Sequence, residues 1–149
     1  MANATRVHAL KLAIASGLAA WPALDGIQIG TAYLGDSTAK TSIQLVGPDD
    51  IRQEWGPMGR KSKDETVTLE GFVWTVLPGA GEPIVRAARA RVVELAGEVE
   101  AFLKVDPSLG GTVNWCAFKA AGLREGAHPD GRSAQLTFNV EAFTRLQPS

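Results

Sequence analysis

The sequence has little of what defines several common protein classes. It contains one cysteine, Cys116, among 149 residues. A single thiol excludes an intrachain disulfide and a four-ligand zinc site, so it fits a reducing compartment or a chain indifferent to redox. Neither sign of charge is in excess, because 15 Lys and Arg face 16 Asp and Glu. The net charge of -1 provides no global positive field that would bind nucleic acid.

No apolar run is long enough to span a membrane. The nearest approach is the segment 10–24, which Lys11 interrupts and which carries Trp21-Pro22 where a secretory signal needs small residues. Its apolar residues recur at helical spacing. We therefore predict an amphipathic N-terminal helix, with Asn3 or Thr5 as its cap.

The sequence contains no complete catalytic motif. Cys116 would need a base to act as a nucleophile, and neither His8 nor His128 is brought near it by spacing. A buried structural thiol is the simpler interpretation. The stretch 79–82 lies between a strand and a helix, but Ile84 replaces the third glycine of the dinucleotide motif, and the lysine and hydroxyl of a P-loop are absent.

Metal-binding and paired-carboxylate patterns are equally weak. Asp49, Asp50 and Glu54 lack a histidine or a regular oxygen-ligand loop. Nothing fixes the separation of Asp36 from Asp49. We predict no catalytic residue, no cofactor and no metal.

Apolar periodicity, by contrast, is clear along most of the chain. It predicts one α+β domain over 1–149, with two helices and about five mostly antiparallel strands in the order α-β-β-β-α-β-β. The first two strands are expected to form a hairpin, and the run 72–77 to be buried on both faces. A polar turn region is expected over 122–132. The predicted helices cover 7–21 and 84–104, and the predicted strands cover 27–33, 41–46, 66–77, 112–120 and 134–146.

The segment 47–65 is the least regular part of the sequence. It holds three glycines, two prolines and clustered charges. We predict a long loop here, which is long for an idle connection in a compact domain. It is either a solvated mobile loop or an arm that touches a partner or lines a channel.

The second helix carries opposite charges at its two ends. Its N-terminal half is basic and its C-terminal half is acidic, the reverse of what the helix dipole favours. Such a helix is either simply solvated or suited to head-to-tail contact with another copy. The charged residues are Arg86, Arg89, Arg91, Glu94, Glu98 and Glu100.

The C-terminal half resembles the tail terminator (tail completion) proteins of long-tailed bacteriophages. The long helix is followed by the sequence DPSLGGTV at 106–113, which in that family leads into a strand. A variable Gly-rich turn at 122–132 and an alternating strand over 134–146 complete the pattern. The order of the N-terminal elements agrees as well.

The resemblance implies a structural virion protein without enzymatic activity. Family members form hexameric rings that cap the tail tube and join it to the neck of the head, with DNA passing through the lumen. The implied partners are other copies of the chain, the tail tube protein and a head-completion or neck protein, with no membrane. The implied location is the head-proximal end of the virion tail, after synthesis in the host cytoplasm.

Site residues follow from the resemblance as expectations. The loop 47–65, with Arg60, Lys61 and Lys63, is expected to face the lumen or the adjoining ring. The expected subunit-subunit contacts are Arg86, Arg89, Arg91, Glu94 and Glu98.

Two alternatives remain open at this stage. One is another phage neck component, such as a head-closure, adaptor or minor tail protein. The other is a small enzyme or ligand-binding domain with a pocket near Trp74 and Trp115. A hydrophobic core explains the tryptophans more simply than a pocket does.

Overall fold

The chain forms a mixed sheet covered by two helices. The structure is a computed structural model that describes residues 4–32, 40–56 and 62–146. The predicted α+β class is confirmed, with six strands in place of about five. The elements are α1 (Val7–Ala20), a 3-10 turn (Pro22–Leu24), β1 (Gln28–Gly30), β2 (Thr41–Gln44), β3 (Asp50–Trp55), β4 (Lys63–Leu77), α2 (Glu82–Val105), β5 (Trp115–His128) and β6 (Gly131–Leu146).

Strands β4 and β6 form the centre of the sheet. They pair antiparallel along their whole length, from Lys63 opposite Leu146 to Leu77 opposite Arg132. The sheet order is β1-β2-β4-β6-β5, with β3 also paired to β4. Strands β2 and β3 share one side of β4, since β2 pairs with residues 72–75 and β3 with residues 63–68. On the far side, β5 pairs with β6.

Both helices lie on one face of the sheet, which we call the covered face. Alternate residues of β4 and β6 point into it, as the sequence periodicity predicted for β6, and α2 contacts β4, β5 and β6. Phe138 fills the space above Gly71, where an added Cβ would lie 2.9 Å from the Phe138 ring and 2.8 Å from the Gln44 carbonyl oxygen. The fully buried members of this core include Leu10, Ile14, Leu18, Leu69, Val73, Val92, Val99, Phe138 and Val140.

The first two strands do not form the predicted hairpin. Strands β1 and β2 are parallel, with Gln28 opposite Ser42 and Gly30 opposite Gln44. The alternating pattern marked both strands correctly, but it carries no information on their relative direction. The turn signal at 35–37 lies outside the described residues.

Two predicted boundaries near the C-terminus were also wrong. The polar turn region 122–132 is mostly strand, because β5 runs to His128 and β6 begins at Gly131. The segment looked like a turn because β5 lies at the edge of the sheet and buries few of its side chains. The strand expected from 112 begins at Trp115, after a turn in which Leu109, Gly110 and Gly111 have positive φ.

The apolar run of β4 is buried on one face and only in part on the other. Val73 is buried on the covered face, whereas on the opposite face Val76 is buried but Phe72 and Trp74 are half-buried. Among the described elements, no helix packs on that opposite face, which explains the difference. We call it the open face.

The start of α1 is held by a residue that is distant in sequence. The buried carboxylate of Glu65 accepts a hydrogen bond from the backbone N–H of Arg6 at 2.8 Å. The Thr5 hydroxyl accepts one from the backbone N–H of Val7 at 3.2 Å. The first N–H groups of a helix have no acceptor within the helix, and here Glu65 and Thr5 act as acceptors for two of them. The N-cap residue of α1 is Arg6 and not the predicted Thr5, which precedes it. Asn3, the other predicted cap, lies outside the described residues.

Candidate assembly surfaces

Cys116 does not lie in a catalytic setting. Its side chain is buried under α2, and this burial, with the negative charge of Asp106 as a lesser cause, raises the pKa of the thiol from 9.0 to about 11. The reactive form of cysteine is the thiolate, which this shift disfavours. His128 cannot act as its base, because 11 positions of β6 (131 to 142), about 36 Å, separate their pairing partners.

The cavity next to Cys116 is small and has few converging polar groups. It measures about 210 Å³ and lies between the end of α2 and β5. Pockets for drug-sized ligands usually hold roughly 300–1,000 Å³. The lining residues are Glu100, Leu103, Lys104, Pro107, Cys116, Ala117 and Phe118.

Trp74 and Trp115 do not share a pocket. They lie on the open face opposite Gln135 and Phe143, eight positions apart along β6 (135 to 143). That separation is about 26 Å. Trp74 packs edge-on against His128, while Trp115 stacks on Phe143. The alternative of one pocket near both residues is therefore wrong, and so is the assignment of both to the core, because Trp74 is half-buried and Trp115 is exposed.

The acidic residues near 49–54 do not form a metal site. Asp49 pairs with Lys11 at 2.9 Å, and Asp50 pairs with Arg52 at 3.1 Å. Across the described ranges, no cluster of three or more His, Cys, Asp or Glu side chains is arranged to hold a metal ion.

In the part of the chain that the structure describes, no helix has both the length and the apolarity needed to span a membrane.

The open face is mostly polar and carries little net charge. The ion pair between Arg145 and Asp64, at 2.8 Å, lies at one end of it, and the Arg145 hydrogen bond holds the pKa of the Asp64 carboxyl below its usual value. Phe72, Trp74 and Phe143 provide half-buried aromatic surface. The uncharged polar residues of this face on β4 and β6 are Thr66, Thr68, Ser133, Gln135, Thr137 and Asn139.

The two long edges of the sheet carry exposed apolar side chains. Among the described residues, β3 pairs only with β4, and β5 pairs only with β6. On β3, Trp55 is 72% exposed and Ile51 is 42% exposed. On β5, Leu123 is 46% exposed and Trp115 is 43% exposed. Unpaired strand edges with apolar side chains are templates for pairing with another chain.

The loop expected over 47–65 is partly a β-hairpin. Strand β3 occupies 50–55 and β4 begins at Lys63, so only the residues between them can form a loop tip. Lys63 itself is held in place, with Nζ 2.9 Å from the Ala4 carbonyl oxygen and 5.3 Å from the centre of the Trp55 ring. Arg60 and Lys61 lie outside the described residues. The charges on alternate positions of β3 concealed the strand at the sequence level.

The charged residues of α2 divide into those with partners in their own chain and those without. Arg86 lies 3.8 Å from Glu82, and Arg89 lies 3.0 Å from Glu125 of β5. Glu98 accepts a hydrogen bond from the Trp21 indole at 2.9 Å. Arg91 is half-buried and Glu94 is exposed, and no ion pair joins them in the described part of the chain. The role of all five residues in subunit contact stays a prediction.

The sequence analysis missed the exposed apolar residues of the edge strands. Ile51 and Trp55 stand in a segment taken as irregular, and Leu123 stands in one taken as a turn. The available signal was the spacing of Ile51, Gln53 and Trp55 at every second position. This is the period of a strand that keeps one set of side chains on one face.

Comparisons with known proteins give limited information. No protein-family model matches the chain, and no curated protein matches it. Among solved structures, the chain is similar to a chain of the "Virion of native gene transfer agent (GTA) particle". The identity is 16% over 95% of this chain and 99% of that chain, with a TM-score of 0.47.

Proposed function

We propose that the protein is a structural subunit of a bacteriophage virion, and specifically a tail terminator. In this proposal, copies of the chain form a ring, expected to be hexameric, that caps the tail tube and joins it to the neck. The observation that carries the proposal is the concentration of exposed apolar side chains on both unpaired edges of the sheet. A ring subunit contacts one copy on each of two sides through two different surfaces, and these edges are two such surfaces.

The composition of the open face supports the passage of DNA without binding. A wall that attracted phosphates would need a cluster of Lys and Arg. On its two central strands the open face instead presents Thr, Ser, Asn and Gln together with Glu70 and Glu141, and Arg145 there is paired with Asp64. Its cations on β5, Lys119 and Arg124, lie at the edge of the sheet. We therefore assign the open face to the lumen of the ring and the helices to its outside.

The predicted contact residues belong to this proposal. The tip of the β3–β4 hairpin, with Arg60 and Lys61, faces the lumen or the adjoining ring, and Lys63 fixes its base. All five predicted residues of α2 remain candidates for subunit contact: Arg86, Arg89 and Glu94 are exposed, and Arg91 and Glu98 are half-buried. The whole chain, 1–149, acts as one domain in this proposal.

The test is the growth of tail tubes in vitro. Purified tail tube protein is polymerised with and without the full chain, and tube ends and lengths are measured by electron microscopy. We expect rings at one end of each tube and shorter tubes at substoichiometric amounts of the chain. Heat-unfolded chain serves as the control. Tubes of unchanged length with bare ends would contradict the proposal, and binding to a neck protein alone would assign the chain to another neck component.

A further inference from the structure

The two exposed edges of the sheet differ in sequence and complement each other. Of the seven large apolar side chains that are exposed in the described part of the chain, four lie on β3 and β5. We propose that the outer edge of β3 in one copy pairs with the outer edge of β5 in the next copy. The sheet then continues from copy to copy. This inference concerns the oligomer of the proposed function and rests on that function only for the closure of the ring.

Strand direction permits this pairing without any reversal. At the level of residues 50–52 the sheet is four strands wide, in the order β3-β4-β6-β5, and each neighbouring pair is antiparallel. Since four is an even number, repeating the unit around an axis along the strands places β5 antiparallel to the neighbouring β3. Antiparallel pairing is the slightly more stable arrangement per residue.

The lengths of the two edges match. Strand β3 has six residues, from Asp50 to Trp55. Strand β5 is interrupted by a bulge between Ala120 and Gly122, so its regular first part covers 115–120. A bulge also increases local twist and bending, which a sheet needs when it curves around a ring.

One register brings together one pair of opposite charges and one pair of apolar side chains. If Asp50 lies opposite Lys119, antiparallel pairing places Ile51 opposite Phe118 on the covered face of both copies. The same register places Glu54 opposite Trp115 on the open face. Directly opposed side chains of opposite charge, and directly opposed apolar side chains, stabilise a strand pair.

Net charge favours pairing of β3 with β5 over pairing of either strand with itself. Strand β3 has two acids and one base, hence a formal charge of -1, and β5 has two bases and one acid, hence +1. Lys119 and Arg124 form no ion pair within the described residues, whereas Glu125 is paired with Arg89. Pairing of β5 with a second β5 would bring the unpaired cations together.

The experiment alters one edge at a time by substitution in the full-length chain. Variant one is Ile51→Thr with Trp55→Thr, and variant two is Trp115→Thr with Lys119→Asp. Threonine is chosen because it suits an exposed strand. The matched control is Val93→Thr, which removes a 51% exposed apolar residue from α2 instead of from an edge. Oligomer mass is measured by light scattering, and unchanged circular dichroism and denaturation midpoint confirm folding.

We expect the control to keep the wild-type mass and each edge variant to become monomeric. A mixture of the two edge variants should form complexes of two chains and nothing larger, because one intact β3 edge and one intact β5 edge remain. Edge variants that keep the wild-type mass would overturn the inference. So would a variant that dimerises alone, because that result requires pairing of like edges.

Failure of this inference is distinguishable from failure of the proposed function. If the wild-type chain forms a ring and both edge variants form the same ring, only the strand pairing is overturned. If the wild-type chain is monomeric in solution but binds tube ends, the same variants are compared by tube-end binding, and retained binding overturns the pairing. A wild-type chain that neither oligomerises nor binds tubes overturns both.

Discussion

The central strands and the edge strands use the same alternating pattern with opposite results. In β6, Phe138 is fully buried, whereas in β3 Trp55 is 72% exposed. The central strands have neighbours on both sides and two helices above them. The edge strands have one neighbour each among the described residues. The comparison teaches that alternation identifies a strand, while burial depends on what lies beside it. We attribute the stability of the chain to the centre, and the proposed function assigns assembly to the edges.

The sharpest test of this comparison replaces one large aromatic residue in each region. Phe138→Ala removes a fully buried ring and should lower the free energy of unfolding by about 3–5 kcal/mol. Trp55→Ala removes an exposed ring whose main contact is Lys63, so its cost should be below about 1 kcal/mol. Denaturant unfolding at low protein concentration measures both. Equal losses for the two variants would contradict the division between centre and edge.

Two glycines offer a second test within the same sheet and its helix. Gly71→Ala should cost about 1–3 kcal/mol, because its Cβ would clash with the Gln44 carbonyl oxygen and the Phe138 ring. Gly97→Ala, on the exposed side of α2 with open space around it, should instead stabilise by up to about 1 kcal/mol. Thermal unfolding of the two variants gives the sign of each effect. A stabilising Gly71→Ala would show that the centre of the sheet is loosely packed.

The sequence alone predicts the central strands and the core residues correctly, but it does not predict the edge strands. The alternation from Ala134 to Ala142 and the helical spacing in α2 identified the core, because buried positions demand apolar residues in a fixed period. Strand β3 and the second half of β5 were missed, because an edge strand tolerates charge and glycine at most positions. Parallel pairing of β1 with β2 is a property of the chain path, and no local residue pattern specifies it.

The stability of the folded chain should depend on pH through the buried thiol of Cys116, which lies on the edge strand β5. Burial raises the pKa of Cys116 to about 11, so the folded state keeps its proton where the unfolded thiol, with a pKa near 9.0, has lost it. Stability should therefore fall as the pH rises from about 9 to about 11. The decline should be smaller in Cys116→Ser, which does not titrate there. Equal slopes for the two proteins would contradict the burial of this thiol.

The smallest expected effect lies in the turn between α2 and β5. The Asp106 carboxylate accepts hydrogen bonds from the Ser108 hydroxyl and the Gly110 N–H, and these lower its pKa from 3.8. Its contribution to stability is present above pH 3.8 and is lost as the pH falls through the lowered value. Asp106→Asn should remove this acid dependence, while Asp25→Asn, at another exposed aspartate, should retain it. Identical acid titrations of stability in all three proteins would contradict the assignment.

The most direct test of the account is the native mass of the assembled chain. Copies joined edge to edge around a closed ring should give one species, and six copies of a 15.8 kDa chain give about 95 kDa. We expect this mass alone or on the end of a tail tube, together with a ring in electron micrographs. A strict monomer under both conditions, or a dimer that never grows, would contradict the account.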